Sequence, residues 1–135
     1  MLVGDITVSN YMILVAEDED DVRKLLVDAF QLSGFFDAVG VPDGAEAVKE
    51  AEKLIPDLIL LDVRMPRMTG FEACEILKGQ ESTKQIPIVF LSAYGQEAEV
   101  KTGLELGGEE YLLKPFAIHE LVWQIKKVLS KYGKV

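Results

Sequence analysis

The chain predicts a doubly wound α/β fold: a five-stranded parallel sheet with helices on both faces. Three observations lead there. Five short aliphatic runs recur along the chain, segments with helical periodicity separate them, and polar residues collect just after the runs. Strands alternating with helices need crossover connections, which are right-handed and cover a parallel sheet on each side. With 135 residues, 49% of them hydrophobic and 27% charged, the chain supplies one sizeable core and so one domain.

The first run is 11–16, and Val22, Leu25, Leu26, Ala29 and Phe30 follow it at the i, i+3, i+4, i+7, i+8 positions of an amphipathic helix. The second run, 36–41, is followed by a weaker stripe of Ala45, Val48 and Ala51. The third, 57–61, is apolar nearly throughout, as a strand covered on both faces should be, and Phe71, Cys74 and Leu77 form the next stripe. A fourth run at 86–91 precedes Ala98, Val100 and Leu104; a fifth at 111–113 precedes Pro115 and the last helix. That helix gathers Ile118, Leu121, Ile125, Val128, Leu129 and Tyr132 on one face. Gly34, Gly79 and Gly107 fall where helices should end. Residues 11–135 read as the folded domain, and 1–10 as either a mobile tail or a lead-in to the first strand.

Composition narrows the function. Fourteen Lys and Arg against twenty-three Asp and Glu give a formal charge of −9, which repels nucleic-acid backbones and anionic membrane surfaces. Neither is an expected direct partner. Cys74 stands alone, so no internal disulfide forms and a cytoplasmic setting is expected. The first residues carry an early acid and no base, unlike a signal peptide, and no apolar run is long enough to span a bilayer.

A doubly wound sheet binds its ligands beyond the carboxyl ends of its strands, at the point where the winding reverses. Here those ends are acidic. Glu17 and Asp18 follow the first strand and Asp62 follows the third; if these strands are neighbours, the three carboxylates converge. Such a cluster needs cations to offset its charge, and hard oxygen donors suit Mg²⁺ or Mn²⁺. Glu19, Asp20 and Asp21 are simply acids at the start of a helix, where its dipole favours them. Asp62 begins no obvious helix.

Ser92 and Lys114 end the fourth and fifth strands. Singly, a serine in a turn and a surface lysine are ordinary. Together with the acids, they place reactive groups at the same edge of four strands. The chemistry that uses this set is phosphoryl transfer to a carboxylate: Asp62 attacks phosphorus, while a cation, an ammonium and a hydroxyl take up the phosphoryl oxygens. A phosphohydrolase with Asp62 as covalent nucleophile is the enzymatic rival. Such enzymes usually carry a second acid two residues further on, where this chain has Arg64. A nucleotide or flavin module is disfavoured because no glycine-rich phosphate loop follows the first strand.

The strings Ile13-Leu-Val-Ala-Glu-Asp-Glu19, Pro56-Asp-Leu-Ile-Leu-Leu-Asp-Val-Arg-Met-Pro-Arg-Met-Thr-Gly70, Ile86-Pro-Ile-Val-Phe-Leu-Ser-Ala93 and Tyr111-Leu-Leu-Lys-Pro-Phe116 resemble the receiver domain of two-component response regulators, over about residues 11 to 132. The resemblance implies a flavodoxin-like receiver fold with strand order 2-1-3-4-5. It implies that Asp62 accepts a phosphoryl group from a histidine kinase or phosphotransfer protein. Asp18, Asp62 and the Arg64 carbonyl would ligate Mg²⁺, with Glu17 acting through a water; Glu17 stands where the family more often has Asp. Lys114 would bind the phosphoryl group, Ser92 would move to hydrogen-bond it, and Tyr111 would swap between outward and buried rotamers. The Lys114-Pro115 bond would be cis. Arg64 and Tyr94 occupy positions that modulate dephosphorylation in the family, and their bulk predicts a slow intrinsic loss of phosphate.

The resemblance also implies a regulator rather than a metabolic enzyme, with only self-phosphorylation and autodephosphorylation. The chain would be a stand-alone receiver, or a piece of a larger regulator or hybrid kinase. Its expected output surface is helix 4, strand 5 and helix 5, meeting a protein target or a second copy. Trp123 faces away from the apolar stripe of the last helix, sharing its side with His119, Glu120 and Lys127, and this side is read as part of that partner surface. His119 reads as solvated, Cys74 as a small core residue, and Met65 and Met68 as packing beside the site.

Overall fold

The computed structural model describes residues 2–3, 6–7, 10–93 and 95–134, the first four as backbone only. Strands β1 (Tyr11–Ala16), β2 (Phe36–Val41), β3 (Leu58–Asp62), β4 (Ile88–Ser92) and β5 (Glu110–Leu113) form one parallel sheet in the order β2-β1-β3-β4-β5. Helices α1 (Asp20–Leu32), α2 (Gly44–Leu54), α3 (Gly70–Lys78), α4 (Glu97–Glu105) and α5 (Ile118–Lys131) connect and follow them. Strand order and the number of helices match the expectation. One addition is a short antiparallel ladder ahead of β1, pairing Leu2 with Thr7 and Val3 with Ile6. Strands of two residues carry no readable alternation, so sequence periodicity passes over them. The rest of 1–10 up to residue 9 lies outside the described residues.

The core forms because successive strand residues point to opposite faces. On one face Leu14, Ala16, Ile59, Leu61, Ile88 and Phe90 meet Ala47 and Ala51 of α2 and Ala73, Cys74 and Leu77 of α3. On the other, Ile13, Val15, Leu58, Leu60, Val89 and Leu91 meet Leu26 and Phe30 of α1 and Leu121, Ile125, Val128 and Leu129 of α5. Full burial of each large aliphatic side chain contributes about 1.5–3 kcal/mol. β3 is buried at every position, so its terminal Asp62 is fixed by a fully packed strand.

Local chemistry sets the ends of the elements. Asp43 caps α2 through Glu46 N, and Thr69 and Glu72 form a reciprocal capping box on α3. Gly34 and Gly107 follow α1 and α4 with positive φ, as their residue type predicts. Gly79 ends α3 with right-handed geometry, and Ile55, with φ of 45°, ends α2 in the left-handed region.

Several stripe positions are corrected. Leu25 is 54% exposed, Ala45 is exposed, and the buried edge of α2 is Gly44, Ala47 and Ala51. In α4, Ala98 and Leu104 are exposed, and Gly103 is the residue turned inward. The reason is packing: a Cβ on Gly103 would come within 3.0 Å of both Phe90 Cδ2 and Tyr111 Cδ2, so these rings occupy the space an apolar side chain of α4 would fill.

Candidate functional site

Sheet register assembles the acidic rim. Ala16 pairs with Leu61, so the residue after each, Glu17 and Asp62, emerges side by side at the carboxyl edge. Glu17 N still donates to Val41 O at 3.0 Å, which extends β1's pairing past its last strand residue. Asp62 pairs with Leu91 and Ser92 with Leu113, which brings β4 and β5 to the same edge. Lys114 N donates to Ser92 O at 2.8 Å, and the Lys114-Pro115 peptide is cis, as the resemblance implied.

The side chains meet there. Carboxylate oxygens of Glu17, Asp18 and Asp62 lie within 4.8 Å of one another. Lys114 Nζ donates to Glu17 Oε1 at 2.6 Å and to Asp62 Oδ2 at 3.0 Å. Glu17 and Asp62 are buried, whereas Asp18 is open to solvent. Glu19 N donates to the second Glu17 oxygen at 3.1 Å, and Arg23 Nη1 donates to the Glu17 carbonyl at 2.9 Å. Arg64 N donates to Asp62 Oδ1 at 3.3 Å. With Glu19 and Ala93, the residues Asp18, Asp62, Arg64 and Lys114 line a small cleft of about 180 Å³.

The electrostatics follow from one ammonium facing three carboxylates. Burial alone would lower the Lys114 pKa, but its hydrogen bonds to Glu17 and Asp62, with their charges, outweigh burial and hold it above the usual lysine value. Its share of stability is therefore present below the ordinary lysine pKa and lost as pH rises through the raised one. Asp18 is held above the usual carboxylate range, first by desolvation and then by its hydrogen bond to Glu17 and that group's charge. The cluster thus retains negative charge that the lysine alone does not balance. Three hard oxygen donors with an open position toward solvent fit a small divalent cation such as Mg²⁺.

Next to the acids stands an aromatic pair, Phe90 and Tyr111. Ser92 is fully buried near Tyr111, whose hydroxyl pKa is raised, chiefly by desolvation and against the lowering effect of the serine. The Tyr111 ring lies 6.0 Å from Phe90, over Gly103. Arg64 Nη2 reaches across to Glu99 Oε1 of α4 at 2.7 Å.

The predicted rim residues therefore come together; the predicted partner face divides. His119 and Trp123 line a groove between α1 and α5 of about 810 Å³ with Leu25, Leu32, Val122 and Lys126. Glu120 instead borders a smaller cleft with Leu112, Leu113 and Phe116, and Lys127 Nζ lies 5.2 Å from the Trp123 ring centroid. His119 is exposed, Cys74 and Met65 are buried, and Met68 packs against the same core. Tyr94 lies outside the described residues. Three residues escaped sequence reasoning: Glu99, which pairs with Arg64, and Asp43 and Arg67, which pair with each other. Both pairings are non-local, and no local motif announces them.

A doubly wound sheet with a lysine-bridged acid cluster at its switch point is a receiver-like arrangement, and comparison with known proteins gives the family. The response regulator receiver domain family matches residues 13–126. The chain belongs to that family, the receiver domains of two-component response regulators. It is 39% identical over 122 residues to the alkaline phosphatase synthesis transcriptional regulatory protein PhoP of Bacillus subtilis (strain 168), covering 90% of this chain and 50% of PhoP. The chain spans about half the length of the curated relatives it matches. Among solved structures, the Vibrio cholerae chemotaxis protein CheY4 superposes with a TM-score of 0.84 at 29% identity, covering 89% of this chain and 99% of that one. The signal receiver domain of a signal transduction histidine kinase from Syntrophus aciditrophicus gives 0.83 at 31% identity, covering 93% and 94%. No helix among the described residues is long and apolar enough to cross a membrane.

Proposed function

We propose that the chain is a cytoplasmic phosphorylation switch in which Asp62 accepts the phosphoryl group of a histidine kinase or phosphotransfer protein. The observation that carries this reading is Lys114 Nζ, seated between Glu17 and Asp62 beside a third carboxylate at the rim of the sheet. A carboxylate oxygen of Asp62 attacks phosphorus, the bond from phosphorus to the donor imidazole nitrogen breaks, and the imidazole leaves with the electron pair. Lys114 neutralises charge on the transferred oxygens, and Ser92, at the end of β4, is the hydroxyl available to them. Asp18, Asp62 and the Arg64 carbonyl would hold Mg²⁺, with Glu17 acting through water. An ion held there would supply charge neutralisation to the oxygens that carry negative charge during transfer.

The signal leaves through the aromatic pair. Drawing Ser92 toward a phosphoryl group alters the surroundings of Tyr111, whose ring packs with that of Phe90 against Gly103 of α4, and so shifts the surface of α4, β5 and α5 between two arrangements. That surface would contact a protein target or a second copy, within a stand-alone regulator or as part of a longer regulator or hybrid kinase. Catalysis would be confined to the domain's own phosphorylation and dephosphorylation. Arg64, held to Glu99 at the cleft mouth, would slow hydrolysis by restricting the attacking water, together with Tyr94.

Treatment with acetyl phosphate and Mg²⁺ followed by intact-mass measurement tests the reading. The wild type should gain one phosphoryl group and Asp62→Asn none; equal gain by both, or gain by neither, would sink it.

A further inference from the structure

Asp43 is fully buried and keeps a carboxyl where a neutral cap would serve α2 equally well. Capping uses one oxygen, Oδ1, which accepts from Glu46 N at 2.8 Å. The other, Oδ2, accepts from Arg67 Nε at 2.8 Å and from Arg67 Nη2. Arg67 in turn occupies an unusual backbone position. Its φ is 65°, in the left-handed region, inside a tight turn closed by Met68 N donating to Pro66 O. Glycine would take that conformation without strain, so the arginine is explained by its side chain, which lies across the loop in a two-pronged bond to Asp43.

This contact closes a bracket around the loop between β3 and α3. At the loop's start, Arg64 N is bonded to Asp62 Oδ1. Gly70 N returns to Val63 O at 2.9 Å, and a Cβ at Gly70 would stand 2.2 Å from Asp62 O. Near the far end, Gly44 N donates to Met68 O at 3.0 Å, and a Cβ at Gly44 would stand 2.3 Å from that oxygen. The loop is therefore held to Asp62 at one end and to Asp43 and Gly44 at the other. Arg64, whose carbonyl the proposed function assigns to the cation, lies between the two anchors.

We infer that Asp43 and Arg67 are positioning residues for the cation site: their ion pair fixes the loop so that the Arg64 carbonyl is presented to a divalent ion beside Asp18 and Asp62. The inference rests on the proposed function. Neither residue touches the ion. Their effect passes through the backbone, as that of groups supporting metal ligands commonly does, with losses of about 10-fold or more in affinity when such support is removed.

The test is Mg²⁺ titration by calorimetry on the full chain, with thermal unfolding of the metal-free protein alongside. Asp43→Asn keeps the cap and the volume but loses the charge, and Arg67→Gly removes the side chain while relaxing the turn. Each should raise the Mg²⁺ dissociation constant about 10-fold. Arg67→Lys, which retains charge without the planar fork, should recover part of the loss. If Asp43→Asn unfolds, the two Arg67 variants, which leave the cap untouched, decide the matter. Wild-type affinity in the folded variants overturns the positioning role while leaving the proposed function standing. A wild type that takes up no Mg²⁺, or takes it up equally well as Asp18→Asn, overturns the proposed function and this role with it.

Discussion

Helices α4 and α5 lie at the same end of the chain and are held very differently. α5 buries Leu121, Ile125, Val128 and Leu129 against one face of the sheet. Beyond its end, Lys134 Nζ reaches Asp57 at 2.5 Å, and the Tyr132 hydroxyl donates to Glu109; desolvation first, and then Glu109, push its pKa up to about 12. α4 buries only Gly103 and is tied to the site by the Arg64–Glu99 pair. An element with so little apolar surface in the core belongs to the low-stability end of a fold, where moving parts are drawn from. The contrast locates rigidity and motion: Asp62 ends a wholly buried strand, and the helix nearest Tyr111 is the least anchored in the molecule.

Four substitutions break or sharpen this contrast. Leu60→Ala, in the buried strand that ends at Asp62, should cost about 2–5 kcal/mol, read from urea unfolding. Gly103→Ala brings a methyl within 3.0 Å of Phe90 and Tyr111. Overpacking of about 1–3 kcal/mol is offset by about 1 kcal/mol of helix propensity. The half-buried tyrosine yields first, so a net loss of about 1 kcal/mol should accompany a changed near-ultraviolet dichroism from a displaced Tyr111 ring.

A third substitution separates the rim from the helix by pH. The Asp43 carboxyl is held below the usual carboxylate range, first by its bond from Glu46 N and then by Arg67, against desolvation. Its contribution is present above the ordinary value of 3.8 and lost as pH falls through the depressed one, because the unfolded chain binds that proton first. Asp43→Asn should therefore flatten the fall in stability below about pH 4, seen in acid unfolding. Leu104→Ala, on the exposed side of α4, should change stability by less than about 0.5 kcal/mol. A large loss there would show that α4 is anchored after all.

Much of this was legible in the sequence because the strands are long enough to show their runs and because the doubly wound topology assigns chemistry to one edge. Glu17, Asp18, Asp62, Ser92 and Lys114 each follow or end a strand, so finding the strands finds the rim. Helix faces were less legible. α4 has no apolar side chain at its inner contact, so a periodicity search fixes on Ala98 and Leu104, which are exposed. Ile55 ends α2 in a left-handed turn without the glycine that would mark it. The pairs Asp43–Arg67 and Arg64–Glu99 join residues 24 and 35 positions apart, which only the folded arrangement reveals.

Trp123 is the sole indole in the chain, 59% exposed, on the rim of the groove between α1 and α5, which shares no lining residue with the acidic cleft. It therefore gives the molecule a built-in optical probe of one side. A protein settling over α1 and α5 would blue-shift its fluorescence and shield it from acrylamide, whereas an event confined to the cleft would leave its emission to report at second hand. The α1/α5 groove and the acidic cleft can thus be followed separately without a label.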